Sequence, residues 1–280
     1  THRAIVLTAH SSASIDFTLC AWQTADMTEI FRFPDIVNTW LENPFGQSLL
    51  TQEARIVEDQ LEGIFGELCL QIGCWGPSKT FLKAARTQRR LLIAPESHHT
   101  VPTVIGQPWR LPVASESVDC VLLPHTLEYA DRQHAILREV DRVLHAHGHL
   151  IILGFRPGGL WGLRRLIPGA KLPPGTDQLV PDRRLRDWLK LLDMRIHGMN
   201  AYFFRWPVPG NRGATSSKWE RRGKQFWPEL SACYMISAQK RVSTLTPVRP
   251  AWNRKPKLVA GLEPSARVSN VQRIRFDDRR

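Results

Sequence analysis

Between residues 68 and 155 the chain sets out five short apolar runs, at 68–72, 91–94, 104–106, 118–123 and 150–155, each followed by a turn or helix signal. None alternates strictly between apolar and polar residues, which fits strands buried on both faces. Helical stretches are predicted between them at 78–87 and 131–147. In the second, Ile136, Val140, Val143 and Leu144 form one apolar face, Asp131 can cap the start, and Gly148 can end it in a left-handed conformation. Strands alternating with helices imply a parallel sheet joined by right-handed crossovers. The fold class is therefore α/β.

The flanks extend this pattern. Ahead of it, Thr51 can cap a helix with Ile56, Gln60, Leu61, Ile64 and Phe65 at helical spacing, closed by Gly66. Residues 1–48 read as an N-terminal extension of uncertain structure. Behind it, a Gly- and Pro-rich segment, RPGGLWGLRRLIPGAKLPPG, leads to a helix with Leu185, Trp188, Leu189 and Leu192 inward and a strand at 194–197. A basic loop then separates an apolar stretch at 202–206 from a last strand at 231–238.

Composition sets the outer limits. The chain has 280 residues, 42% of them hydrophobic, enough for one globular domain, here 49–240, with tails. No apolar run reaches the roughly 20 residues that cross a bilayer. The opening residues lack the order of a signal peptide, so a cytoplasmic protein is expected. Five widely spaced cysteines without a CxxC suit buried thiols better than disulfides or a thiolate metal cluster. The formal charge is +12, and residues 241–280 carry ten Lys or Arg against three acids. That segment is expected to be a disordered basic tail, with weak nucleic-acid or anionic-surface contact as the alternative.

One stretch resembles a known family. In LPVASESVDCVLLPHTLEYADRQHAILREVDRVLHAHGHLIILGF the pairs Leu111-Pro112 and Val118-Asp119, the turn His125-Thr126-Leu127-Glu128, then Asp131, Arg142-Val143-Leu144 and Gly148 follow one pattern. It is similar to the second half of a class I S-adenosylmethionine-dependent methyltransferase of the type 11 group. The resemblance implies a Rossmann-like, seven-stranded, mostly parallel sheet with an antiparallel last strand. It also implies S-adenosylmethionine across the carboxyl ends of the first four strands. An open α/β sheet favours that place independently, because ligands sit where strand order reverses and helix N-termini there offer free N–H groups. SLLTQE, ending at Glu53, fits a poorly characterised bacterial subgroup.

Carried onto this sequence, the resemblance assigns cofactor contacts to Gln71, Gly73, Trp75, Gly76, Glu96, Gln107, Pro108 and Leu123. Gln71 stands where relatives carry an acid, and Trp75 where they carry glycine. Glu96 is the acid nearest the ribose position, and Gln107 can accept from an adenine amine. Trp75 either walls the cofactor pocket or fills it as core. His125, at the rim after the fourth strand, is the candidate base if the methyl acceptor is a hydroxyl or an ammonium; otherwise it stabilises the turn. Glu128 and Tyr129 are weaker candidates for that rim. His145, His147 and His149 do not share a face and suggest no metal. Leu160, Trp161, Leu163 and Leu166, beside Arg164 and Arg165, suggest a lid over an apolar or anionic acceptor, or else a short core helix. The expected activity is methyl transfer to a small-molecule or lipid-like acceptor. The alternative is a catalytically silent relative serving as a binding module or scaffold, with NAD or nucleotide-sugar chemistry third.

Overall fold

The computed structural model describes residues 4–8, 16–20, 35–78, 80–95, 102–159, 161–162, 178–205 and 217–241. β1 (Ala4–Thr8) and β2 (Asp16–Cys20) pair antiparallel as a separate two-stranded sheet. Helices α1 (Asp35–Glu42) and α2 (Pro44–Leu61) precede the main sheet. That sheet is built from β3 (Leu68–Ile72), β4 (Arg89–Ala94), β5 (Val104–Ile105), β6 (Val118–Pro124), β7 (Leu144–Phe155), β8 (Met194–Tyr202) and β9 (Cys233–Lys240). Helices α3 (Gln133–Val143), α4 (Asp182–Leu191) and α5 (Ser217–Phe226) lie between its later strands in the chain.

The strand order is β5-β4-β3-β6-β7-β9-β8, with β3 to β7 parallel and β9 antiparallel to both its neighbours. This is the expected seven-stranded, mostly parallel sheet. Both faces are covered, and the pleat sorts the strand residues between them. Leu70, Ile72, Val121, Leu123, Leu150 and Ile152 face the core formed with α3 and α4. Cys69, Cys120, Leu122, Ile151 and Leu153 face the core formed with α1 and α2. Cys69, Cys74, Cys120 and Cys233 are buried.

Four expectations change. α2 begins at Pro44 rather than after Thr51, because proline suits a helix start, and the Thr51 hydroxyl instead donates to the Gln47 carbonyl inside the helix. Its inward face is Leu49, Leu50, Glu53, Val57 and Leu61; of the expected stripe Leu61 and Ile64 are buried and Ile56 packs at the margin, while Phe65 is 67% exposed. The helix expected at 78–87 is, among the described residues, a single 3-10 turn at Leu82–Ala84, with Ala84 and Ala85 bonded three residues back. Burial of Phe81, Leu82 and Ala85 over the α1/α2 core fixes that segment more strongly than its propensity does. The helix expected at 131–147 runs only over Gln133–Val143, and β7 begins at Leu144.

The start of β7 explains that last difference. Val118 pairs with Leu144 and Cys120 with His149, so the residues between loop out of register as a bulged turn. His147, rather than Gly148, takes the left-handed conformation there, with φ 65. Arg142 locks the end of α3 onto the preceding loop. It donates to Glu139, Ser115 and the carbonyls of Leu111 and Val113, while Glu139 accepts from the Leu111 N–H. Replacing Arg142 by Met leaves those carbonyls without their donor. We expect a loss of about 1–3 kcal/mol of unfolding free energy, read by urea denaturation.

Candidate functional site at the carboxyl edge of the sheet

Strand order reverses between β3 and β6, and the ends of these strands are tied together by the Thr126 hydroxyl, which donates to the Ile72 carbonyl at 2.6 Å. Over this edge lies the middle of α2. Glu53 occupies the buried stripe of that helix and has no exposed surface. A buried carboxylate must be satisfied by donors, and Glu53 meets three side chains from distant parts of the chain. The Trp75 indole N–H donates to its Oε2 at 2.8 Å. Its Oε1 lies 2.8 Å from His125 Nε2 and accepts from the Tyr202 hydroxyl at 3.1 Å.

His125 follows directly on β6 and is equally buried. Its φ of 53 places a non-glycine residue in the left-handed region, a strained setting held by its N–H bond to the Leu153 carbonyl. The ring is sandwiched between Trp75 and Phe155, at centroid distances of 4.3 and 3.9 Å. With Nε2 turned to Glu53, Nδ1 faces Glu128 Oε1 at 3.9 Å and has no hydrogen-bond partner. Glu128 Oε1 accepts the Phe155 N–H at 2.8 Å, while its Oε2 has no partner. Burial pushes the Glu128 carboxyl above its ordinary value, against the lowering influence of His125. Burial, reinforced by Glu53, also pushes the Tyr202 phenol well up.

The turn after β3 has the backbone that close approach of a ligand requires. Gly73 and Gly76 sit at φ 93 and 71, and a Cβ on Gly76 would come within 2.9 Å of the Leu50 side chain. The Gly73 N–H bonds the Ile93 carbonyl. Gln71, buried at the end of β3, donates to the Gly73 carbonyl and leaves its Oε1 unpartnered. Beyond Phe155, an aromatic wall of Trp40, Phe45, Trp161 and Phe203 continues, with neighbouring ring centroids 5.3–6.2 Å apart.

Of the residues singled out in the sequence, the structure brings Gln71, Gly73, Trp75, Gly76 and His125 to this edge, with Glu128 beneath His125. Leu123 lies on the opposite face, in the α3/α4 core. Gln107 and the buried Pro108 lie in the turn after β5, where Gln107 bridges Arg110. Glu96, Leu160, Leu163, Arg164, Arg165 and Leu166 lie outside the described residues. Trp161 is buried and donates its indole N–H to the Arg205 carbonyl at 3.2 Å. No long helix opens after β3, so the expected helix N-terminus is missing there among the described residues.

Glu53 and Tyr202 received no role from the sequence. The signal for Glu53 was its spacing: it falls four residues after Leu49 and four before Val57, a carboxylate in the middle of an apolar stripe. Trp75 is the residue whose two readings the structure separates. Its ring has no exposed surface, so the position is filled as core. The glycine turn and the unpartnered Gln71 Oε1 fit a polar, nucleotide-like cofactor; the indole, in this conformation, does not leave its own place to one.

Sheet order and the position of the cluster define an α/β domain of the class I methyltransferase fold. Residues 63–152 match the family model described as a methyltransferase domain. The chain is 35% identical over 159 residues to the uncharacterized protein YafS of Escherichia coli (strain K12), covering 55% of this chain and 62% of that protein's length. A solved S-adenosylmethionine-dependent methyltransferase from Thermotoga maritima superposes with a TM-score of 0.51 at 15% identity, covering 74% of this chain and 99% of the other. A chain from the Haloferax volcanii complex of the Trm112 methyltransferase activator with a methyltransferase gives 0.51 at 14%, covering 74% and 97%. At such identities the two solved structures establish the fold alone.

Glu53→Ala strands three buried donors at once, and we expect a loss of about 3–5 kcal/mol in chemical denaturation, as for other buried partners removed singly. Glu128 titrates with the opposite sign to a salt-bridged acid. Because its folded value is raised, its ionisation costs stability as pH rises above the ordinary 4.5 and through that raised value. Glu128→Gln removes this cost, so the melting temperature of the variant relative to the natural protein should climb as pH rises from 4.5 toward neutrality.

Proposed function

We propose that the protein is an S-adenosylmethionine-dependent methyltransferase acting on a small-molecule or lipid-like acceptor. The methyltransferase-domain match over 63–152, together with the sheet order, supports S-adenosylmethionine as the cofactor. The observation that carries the reading is the joint at the switch point, where a left-handed glycine turn, an unpartnered glutamine oxygen and an oriented histidine meet. In this reading Gln71, Gly73 and Gly76 hold the cofactor, and Gln107 faces its base. When bound, the cofactor supplies an electrophilic methyl group.

The remaining work falls to the chain's own residues. Aligning the acceptor and excluding water contribute most of the acceleration of a methyl transfer. The aromatic wall of Phe45, Trp161 and Phe203 suits an apolar acceptor body. Glu53, bound to Nε2, fixes the orientation of the His125 ring, which leaves Nδ1 as the atom that takes a proton from a hydroxyl or ammonium acceptor.

Calorimetry with S-adenosylmethionine and S-adenosylhomocysteine tests the reading before any acceptor is known. We expect one site for each, and at about a hundredfold excess over Kd a stabilisation of about 2.7 kcal/mol, seen as a rise in Tm. NADH and UDP-glucose should give neither. A protein that ignores both sulfur compounds would sink the proposal.

A further inference from the structure

We propose that Trp75 and Glu53 together set the affinity for the sulfonium cofactor: the indole stands in the cofactor's place above the Gly73–Gly76 turn, and the carboxylate holds it there. This rests on the reading of the preceding subsection. Trp75 is part of the glycine turn itself, yet its side chain reaches away from the turn to a helix placed earlier in the chain. There its N–H is bound by Glu53 at 2.8 Å. The ring lies against His125 and within 6.4 Å, centroid to centroid, of Trp40, Tyr129 and Phe155. It is wholly buried. The two left-handed glycines that flank it are the backbone a cofactor would approach, and the space beside Gly76 is lined by the Leu50 side chain of the same helix that holds the indole.

Polar atoms at the same edge of the sheet point the same way. Gln71 Oε1, His125 Nδ1 and Glu128 Oε2 are all buried and without hydrogen-bond partners, although buried polar atoms are nearly always satisfied. A closed state that leaves three such atoms unsatisfied at one edge is held against a standing cost. A polar ligand taking the place of the ring would relieve it. Ligand binding is then drawn from the fraction of molecules in which the ring has swung out, and the apparent Kd equals the intrinsic Kd divided by that fraction. With the open fraction at about 1–10%, removing the ring tightens binding about ten- to a hundredfold.

Glu53 is a positioning residue in this scheme, and the isosteric amide separates its roles. In Glu53→Gln the amide oxygen can still face His125 and Tyr202, where two donors converge. Its NH2 group is then turned against the indole N–H, donor to donor. That breaks the hold on Trp75 while leaving the shape of the core intact.

The experiment measures S-adenosylhomocysteine binding to the full chain by calorimetry for the natural protein, Trp75→Ala and Glu53→Gln, with circular dichroism to verify folding. Acrylamide quenching of tryptophan fluorescence without ligand is read in parallel. Expected are a tightening of about ten- to a hundredfold for Trp75→Ala and about three- to tenfold for Glu53→Gln. Quenching of Glu53→Gln should also rise toward the level of the ligand-bound natural protein. Should Trp75→Ala not fold, Glu53→Gln and its quenching decide. Equal or weaker binding by the folded variants, alongside a natural protein that does bind, overturns the stopper and leaves the methyltransferase reading standing. No binding by any of the three overturns both.

Discussion

The Glu53 carboxylate is the constraint around which the carboxyl edge of the sheet is arranged. A charge with no exposed surface is tolerated only where donors surround it, and the donors here come from the glycine turn, the end of β6 and the end of β8. Each is thereby fixed relative to α2. The helix that precedes the sheet in sequence is thus as much part of the site as the strands are. Pro44 at its start and the apolar residues on either side of Glu53 exist, in structural terms, to bring one polar atom pair to the right depth.

Around that carboxylate the packing is aromatic, and the two features depend on each other. His125 lies between the rings of Trp75 and Phe155, and Tyr202 brings its hydroxyl to the same acceptor. Aromatic side chains with a polar handle combine large apolar burial with one directed hydrogen bond, which suits a site that must be dry yet satisfy a charge. The left-handed backbone at His125, and at the neighbouring wall residue Phe203 with φ 61, indicates that this geometry is imposed by the surroundings rather than by local preference.

How far the sequence discloses all this depends on the kind of signal. The five strands from Leu68 to Phe155 were legible because continuous apolar runs and turn residues are local properties, although β5 at the sheet's edge is not buried, with Ile105 58% exposed. The last two strands were legible in the same local way, near 194–197 and 231–238, while the antiparallel direction of the final one came through the family resemblance. The 78–87 segment was misread because helix propensity is a weak prior against burial of Phe81 and Leu82. Reading α2 from Thr51 left out Leu49 and Leu50, the apolar residues that define the face on which Glu53 lies, and so hid its place. His125 and the glycine turn were found from position in the pattern. The tie between them was out of reach, because it runs through partners that no spacing rule connects.

Those partners also say something about how the molecule comes together. The bonds on Glu53 join residues 22, 72 and 149 positions apart, so they span the first helix pair to the end of the penultimate strand. Contacts of such separation form only after much chain entropy has been given up. The chemical heart of the domain therefore cannot exist in a half-made molecule: a chain halted before β8 would hold the carboxylate, the indole and the imidazole, but would lack the phenol that completes their circle.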